Sequence, residues 1–254
     1  MATGQNDIHY QHTPAPPELS DFVDSIWMLH NDAAAAKEVI ILPDGRIDLF
    51  LCRSATEPFM IRLMGLSTAP DPVPIPPHTL MFAISFKPLA TEYLLHQAVA
   101  AIVDSASVLT PGFWDFTMQD LDDFALFTAK AIQKIQEHLP SEIDTRKQNL
   151  FTLIEASSGE ISVKALSEQV FWSSRQINRY FTQQYGLSLK TYCSILRFRA
   201  SFEQIKEGKL YPDAHFSDQS HFIKAVKKLA GVSPKLLQQN KNDRFIQFST
   251  LPPK

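Results

Sequence analysis

The sequence predicts an α+β protein in which a β-rich amino-terminal domain with peripheral helices precedes an all-α domain. Residues 1–144 hold short apolar runs between turn-forming residues, whereas residues 145–254 hold short helical patterns with recognisable caps and glycine stops. The net charge divides at the same place, at −12 for residues 1–144 and +9 for residues 145–254. Such asymmetry favours a polyanion as the partner of the second domain. The polar residues 140–148 are the expected boundary.

Strand and turn patterns dominate the first domain. Pro43-Asp44-Gly45 separates two apolar runs, which predicts a hairpin and makes Asp44 and Asp48 turn and surface residues. An apolar run bounded by prolines predicts a buried strand at residues 79–86. Helices are expected at residues 19–29 and 91–101, and a long amphipathic helix at residues 119–139. The apolar stripe of that long helix suits either packing on the first domain or contact with a second copy of the chain.

Helix starts and stops follow one another through the second domain. Serines precede most of the helical patterns, and a serine hydroxyl can accept a hydrogen bond from an amide in the first turn. The predicted capping serines are Ser162, Ser173, Ser188, Ser217 and Ser233. The helices that follow them are expected to end at Val170, Tyr185, Lys206 and Leu229, with a last short helix after Pro234.

The helix at residues 173–185 combines an apolar face with a polar one. Ile177, Tyr180 and Phe181 can anchor it in a core. The polar face carries side chains at positions i, i+3, i+4 and i+7, namely Arg175, Asn178, Arg179 and Thr182. Arginine matches guanine edges and asparagine matches adenine edges, so a helix of this kind can read the major groove of duplex DNA. The alternative is an ordinary solvated helix surface.

Two segments together resemble the AraC/XylS family of bacterial regulators. The first is VKALSEQVFWSSRQINRYFTQQYG followed by LSLKTYCSILRFR, and the second is FSDQSHFIKAVKKLAGVSP. The resemblance covers roughly residues 150–238. It implies two helix-turn-helix units separated by a linker helix at residues 189–206. It also implies that both recognition helices enter successive major-groove segments on one face of DNA.

The resemblance implies a set of DNA-binding residues in both units. Ser173 and Ser217, at helix starts, are expected to contact phosphates, to cap their helices, or to do both. For His221 the alternative to a DNA contact is packing between helices. The expected set is Ser173, Ser174, Arg175, Asn178, Arg179 and Thr182 in the first unit, and Ser217, Gln219, Ser220, His221 and Lys224 in the second.

The second unit departs from the family pattern. Only ten residues separate Ile205 from Phe216, where the family usually has several more that form a supporting helix. Pro212 lies inside this segment and disfavours a helix, and His215 stands where the family usually has glycine. The second unit is therefore expected to be abbreviated.

The first domain resembles a domain of unknown function found ahead of this DNA-binding unit in some bacterial regulators. The segments that carry the resemblance are PELSDFVDSIW, ILPDGRIDLFL, MGLST and ISFKP. In better understood relatives the leading domain binds a small effector or mediates dimerisation. The resemblance thus implies one of these roles and specifies no ligand.

The expected function is sequence-specific transcription regulation in the cytoplasm, with double-stranded DNA as the partner. RNA polymerase, an unidentified small-molecule effector and a second copy of the chain are further candidate partners, and no cofactor, metal or membrane is expected. One alternative is a DNA-compacting protein without sequence preference. Another is a DNA-repair alkyl acceptor, which needs an activated cysteine, whereas Cys52 and Cys193 are expected to be structural. His9 and His12 are expected in a disordered arm rather than in a metal site.

Overall fold

A computed structural model describes residues 8–210, 216 and 218–250 of the chain. Its architecture is the expected α+β class, with a β-rich amino-terminal part followed by a helical carboxy-terminal part. Two predicted site positions, Ser217 and the turn residue His215, lie outside the described residues. Within the described ranges, no helix combines the length and the hydrophobicity that crossing a membrane requires.

The strands of the described residues form two antiparallel sheets. The larger sheet has six strands in the order β1-β2-β7-β4-β5-β8, and the smaller sheet pairs β3 with β6. The strands are β1 (Ile8–Pro14), β2 (Val23–Asn31), β3 (Lys37–Ile41), β4 (Ile47–Arg53), β5 (Met60–Met64), β6 (Asp71–Ile75), β7 (Leu80–Phe86) and β8 (Ala106–Val108). The buried strand expected at residues 79–86 is thus confirmed as β7, between β2 and β4 in the sheet.

The large sheet is apolar on both faces, but its two faces meet different partners. Ile47, Leu49 and Leu51 of β4 are fully buried in the main core, which helices cover. The alternate residues Phe50 and Cys52 belong to a separate cluster on the opposite face. Because side chains alternate along a strand, one apolar strand supplies both faces.

Three expectations for the first part were wrong. The expected hairpin at Pro43-Asp44-Gly45 is a tight turn, with the Asp44 carboxylate accepting a hydrogen bond from the Arg46 amide, but β3 and β4 belong to different sheets. Residues 19–29 mostly form β2 rather than a helix, because β1 and β7 satisfy the backbone of this segment on both sides. Of residues 91–101, only the first three lie in an α-helix.

The helices of the described residues are mostly short. They are α1 (Leu89–Tyr93), α2 (Phe124–Glu137), α3 (Thr145–Ala156), α4 (Val163–Val170), α5 (Ser174–Tyr185), α6 (Leu189–Ala200), α7 (Phe202–Lys206), α8 (Gln219–Ala230), α9 (Pro234–Gln239) and α10 (Ile246–Thr250). The long amphipathic helix begins later than expected, at Phe124, because Asp123 caps it by accepting hydrogen bonds from two amides. Phe127, Ala131 and Ile135 are buried in the main core, so most of its apolar stripe packs on the first part.

Most of the predicted caps are confirmed. The hydroxyls of Ser162, Ser173, Ser188 and Ser233 each accept a hydrogen bond from an amide in the first turn of the helix that follows. The cap of α8 is Asp218, whose carboxylate accepts from the His221 amide. The expected linker helix breaks at Ser201 into α6 and the five-residue α7. Residues 211–215 of the segment that was expected to be abbreviated lie outside the described residues, so that expectation stays a prediction.

The hydrophobic core crosses the boundary between the two parts. Phe151, Phe181 and Tyr185 of the helical part belong to the same buried cluster as Leu49 and Ile84 of the sheet. A second cluster joins Ile40 and Leu42 to the helices, including Phe198, Phe202 and Phe248. The division at residues 144 and 145 is therefore a change of architecture within a continuous core, and independent folding of each part stays a prediction.

Candidate nucleic-acid interface

Helices α4 and α5 form the first helix-turn-helix unit. The turn between them contains Phe171 at φ +55°, a left-handed conformation that reverses the chain after Val170. The Ser167 hydroxyl donates a hydrogen bond to the Trp172 carbonyl at 2.6 Å and ties α4 to this turn. The angle between the two helices is thus set by local contacts.

The start of α5 is a reciprocal capping box. The Ser173 hydroxyl accepts a hydrogen bond from the Gln176 amide, while the Gln176 side-chain oxygen accepts from the Ser173 amide at 2.9 Å. This arrangement satisfies two amide groups that a helix start leaves without partners. The capping role of Ser173 is confirmed, and its phosphate contact stays a prediction.

The face of α5 that was predicted to read bases lies at the protein surface. Arg175, Arg179 and Thr182 are exposed, while Ile177 and Phe181 on the opposite face are fully buried. Asn178 is half-buried, and its side-chain amide donates a hydrogen bond to the Ser174 carbonyl at 2.9 Å. This bond uses one of the two N–H donors of the amide, so the second donor and the oxygen stay available for an adenine contact.

Hydrogen bonds join α5 to the first part of the protein. The Tyr180 hydroxyl donates a hydrogen bond to the Glu92 carboxylate at 3.1 Å. The Gln184 side chain donates to the Thr91 hydroxyl at 2.9 Å, and its backbone carbonyl accepts from the Val99 amide at 2.9 Å. The helix that carries the reading face is thus held from both parts of the chain.

The carboxy-terminal end of α5 packs closely against the first part of the protein. Gly186 adopts φ +73° and ends the helix, as predicted. A Cβ atom at Gly186 would lie 2.6 Å from a Val103 methyl and 2.8 Å from the Ala100 carbonyl oxygen. Glycine thus meets two requirements here, the left-handed turn and the contact with the first part, and only the turn could be foreseen from the sequence.

The second unit presents its predicted residues on α8. Gln219, Ser220, His221 and Lys224 are all exposed, and Phe222 is fully buried behind them. The His221 ring lies edge-on to Phe216, with 5.6 Å between the ring centroids. His221 is therefore at the surface rather than enclosed between helices.

The carboxy-terminal helices α8 and α9 carry a basic surface. Exposed lysines occupy α8 and the start of α9, namely Lys224, Lys227, Lys228 and Lys235. Positive side chains on one face suit the phosphate backbone of a nucleic acid. Their position next to the predicted base-contacting residues of α8 favours phosphate contacts around that helix.

Both cysteines are buried. Burial raises the pKa of the Cys52 thiol, and burial raises that of Cys193 to about 11. These environments disfavour the thiolate that an alkyl acceptor needs.

His9 and His12 lie in β1, so the expectation of a disordered arm was wrong. In the described ranges, no cluster of three or more His, Cys, Asp or Glu side chains could hold a metal ion.

Comparison with known proteins gives one family match, in the first part of the chain, and a distant structural likeness. Residues 11–107 match the family described as Domain of unknown function (DUF6597). No curated protein matches the chain. Among solved structures, the chain is similar to an apo ToxT variant from Vibrio cholerae, with a TM-score of 0.44 and 10% identity over 84% of this chain and 96% of that one. Residues 11–107 thus match a family whose function is unknown, and a structural likeness this distant carries no argument about activity.

Proposed function

We propose that this protein is a sequence-specific, DNA-binding transcription regulator of the AraC type that acts in the cytoplasm. The observation that carries the proposal is the exposed polar face of α5, with Arg175 and Arg179 one turn apart on a helix that both parts of the chain hold in place. A second recognition helix, α8, presents its own polar residues beside a basic surface.

Rigid presentation matters for base reading. Each arginine can donate two parallel hydrogen bonds to one guanine, and a good bidentate contact gives about 1–3 kcal/mol of discrimination. A helix that is already capped, stopped and buried along its rear face loses little conformational freedom on binding. Among the alternatives, a DNA-compacting protein relies on phosphate contacts alone and has no use for such a face.

Charge supports the same assignment of roles. The helical part carries +9 and attracts a polyanion, whereas the first part carries −12 and repels one. The part that holds the recognition helices is therefore the one that meets DNA. A homodimer and a contact with RNA polymerase are further proposals for the full regulator.

Replacing Arg175 or Arg179 with alanine should weaken binding to the selected operator by roughly 5- to 150-fold, the equivalent of about 1–3 kcal/mol. The preference should be lost at particular base pairs, because each arginine is expected to read one. Fluorescence anisotropy with the operator and with single-base variants measures both effects. Arg179→Lys is the matched control, since it keeps the charge but loses the bidentate fork.

If both alanine variants keep the wild-type affinity and the wild-type base preference, α5 is not the reading helix. Equal affinity of the wild-type protein for the operator and for random DNA would instead favour the compacting protein. The lysine control separates a lost base contact from a lost charge. Arg179→Lys should retain binding to random DNA yet lose the base preference.

The two units should contribute unequally to sequence choice. The supporting helix of the first unit, α4, has eight residues. Only ten residues separate Ile205 from Phe216, where the family that the sequence resembles has the supporting helix of the second unit. Lys224→Ala should therefore lower the affinity for all sequences and leave the base preference nearly unchanged. Selection of bound fragments from random DNA checks this. Two equally well-defined half-sites one helical turn apart would contradict it.

A further inference from the structure

A cavity of about 580 Å³ lies between the two sheets of the first part. Trp27, Leu29, Phe50 and Met81 of the large sheet form one wall, and Val39 and Val73 of the small sheet lie in the other. Cavities of roughly 300–1,000 Å³ with mostly apolar walls are typical of sites for small organic ligands. The size and the lining of this cavity thus suit a molecule with a compact hydrophobic body.

Four carboxylates also line the cavity, those of Asp24, Asp44, Asp48 and Glu57. Asp24 is paired with Arg46 and Arg199, Glu57 is paired with Arg62, and Asp44 accepts a hydrogen bond from the Arg46 amide, which leaves the carboxylate of Asp48 to be explained. The Asp48 side chain lines the cavity from β4, directly between Ser85 on β7 and Met64 on β5. Its Oδ1 atom is buried and accepts no hydrogen bond from any described residue. Asp48 was expected at the surface, and that expectation was wrong. A buried carboxylate oxygen without a partner is costly, which points to a group that the cavity is built to receive.

The charges around Asp48 indicate which kind of group this is. Burial and the neighbouring carboxylates of Asp44 and Asp24 all disfavour its ionised form. The Ser85 hydroxyl and the Trp27 indole favour that form, but neither brings a positive charge. Three arginines line the cavity, and two of them are already paired, Arg199 with Asp24 at 2.8 Å and Arg62 with Glu57 at 3.5 Å. The third, Arg53, is exposed at the surface. The missing partner of Asp48 is therefore a cation that can donate a hydrogen bond.

We propose that this cavity binds a small hydrophobic amine. The protonated nitrogen donates a hydrogen bond to the Asp48 carboxylate, and the apolar body lies between Trp27, Phe50 and the strands of the small sheet. The adjacent indole ring suits an ammonium group as well, because a cation is attracted to the face of tryptophan. A bare metal ion fits less well, because among the described residues no group of three or more His, Cys, Asp or Glu side chains could hold one.

The helical part closes the same cavity. Arg199 and Phe202 line it from the end of α6 and the start of α7, and Gln247 lines it from α10. The Gln247 side chain accepts a hydrogen bond from the Leu42 amide at 3.0 Å and donates one to the Leu42 carbonyl at 2.9 Å. A ligand that displaces these groups shifts α7, whose Phe202 and Ile205 share a buried cluster with Phe222 of the second recognition helix, α8. This coupling to DNA rests on the proposed function, whereas the binding of the amine does not.

Calorimetry on the full-length protein with three matched probes tests the binding. The probes are naphthylethylamine, which is cationic, naphthylethanol, which is neutral, and naphthylpropionate, which is anionic. The amine should bind at least about tenfold more tightly than the other two, since charged hydrogen bonds in buried sites contribute most. Asp48→Asn should remove this advantage and leave the affinity for the alcohol nearly unchanged.

Glu38→Gln is the control variant, because Glu38 is an exposed carboxylate of β3 that does not line the cavity. It should keep the wild-type preference for the amine. Equal or tighter binding of the propionate, no binding of the amine at millimolar concentration, or an Asp48→Asn variant that still prefers the amine would overturn the proposal.

A second measurement, of operator affinity with and without the amine, isolates the coupling. An affinity that changes at least about threefold supports an effector role. Binding of the amine without any change in DNA affinity overturns the coupling and leaves the site. Failure of the protein to bind DNA affects only this second measurement, so the two proposals fail in distinguishable ways.

Discussion

Replacement of Asp24 by alanine should lower the free energy of unfolding by about 3–5 kcal/mol, because it leaves a buried guanidinium without its main partner. Arg46 is almost completely buried and donates a hydrogen bond to Asp24 at 2.9 Å. Its second ion pair, with Glu155, is longer at 3.5 Å. The Nε atom of Arg46 is already buried without a hydrogen-bond partner among the described residues. Loss of Asp24 therefore leaves Arg46 with only the longer ion pair to Glu155 among the described residues.

The pH dependence of this effect follows from the pKa of Asp24. Burial raises that pKa, but the charges of Arg46 and Arg199 outweigh burial and hold it well below its ordinary value. A carboxyl whose pKa is lower in the folded state stabilises the fold above its unfolded pKa, near 4. The stabilising contribution of Asp24 should thus be complete at neutral pH and diminish as the pH falls below about 4.

Urea denaturation at pH 7 measures this loss, and Arg199→Ala serves as the comparison. Arg199 pairs with the same carboxylate, but its side chain is 32% exposed, so water can replace part of the interaction. We expect the Asp24 variant to lose clearly more stability than the Arg199 variant. Equal losses, or no loss for Asp24→Ala, would show that Arg46 does not depend on this partner.

Replacement of Asp48 by asparagine should have the opposite sign and stabilise the ligand-free protein above pH 7, by up to about 4 kcal/mol. Burial, with a further contribution from Asp44, raises the pKa of Asp48 from 3.8 to about 7. Between these values the folded state keeps a proton that the unfolded state releases, so stability falls as the pH rises. Roughly three pH units at about 1.4 kcal/mol each give the stated upper limit.

Several charged groups surround Asp48 and act on the same titration. Asp44 and Asp24 face it from the turn and from β2, and both raise its pKa. Arg62 of β5 and Arg199 of the helical part line the same cavity, as does Tyr10 of β1. The upper limit on the stabilisation by Asp48→Asn therefore applies to the protein with these charged groups unchanged.

Thermal denaturation at pH 5 and pH 8 checks the Asp48 prediction. Asp48→Asn should raise the melting temperature at both pH values, by clearly less at pH 5 than at pH 8, because only about one of the roughly three pH units of penalty has accumulated at pH 5. Glu38→Gln should behave alike at both pH values. An Asp48→Asn variant that is destabilised at pH 8 would mean that a cation already inside the protein pairs with this group. Stabilisation together with lost amine binding would show that the carboxylate is kept for binding at the expense of stability.

Local features of the fold could be read from the sequence with little error. The caps at Ser162, Ser173 and Ser188, the stop at Gly186 and the exposed face of α5 were all predicted. Each depends on residues no more than about one helical turn away, so the chemistry that determines them is contained in a short segment. The strand at residues 79–86 was equally clear, because its apolar run is bounded by prolines.

Features that need partners distant in sequence could not be read in this way. The turn at Pro43-Asp44-Gly45 was recognised, but the pairing of β4 with β7 rather than with β3 depends on a strand more than thirty residues later. The segment of β2 became a strand for the same reason, since hydrogen bonds from two neighbouring strands outweigh its local helical pattern.

The cavity shows the same division between local and distant causes. Asp48 looked like a surface residue, because a carboxylate next to a turn is usually solvated, and its burial results from strands that approach on both sides. The ion pair between Asp24 and Arg199 joins residues 175 positions apart. Residue pattern alone thus located the helices that we propose to meet DNA. The cavity and its link to those helices arise only when the chain has folded, because desolvation and charge pairing depend on neighbours in space.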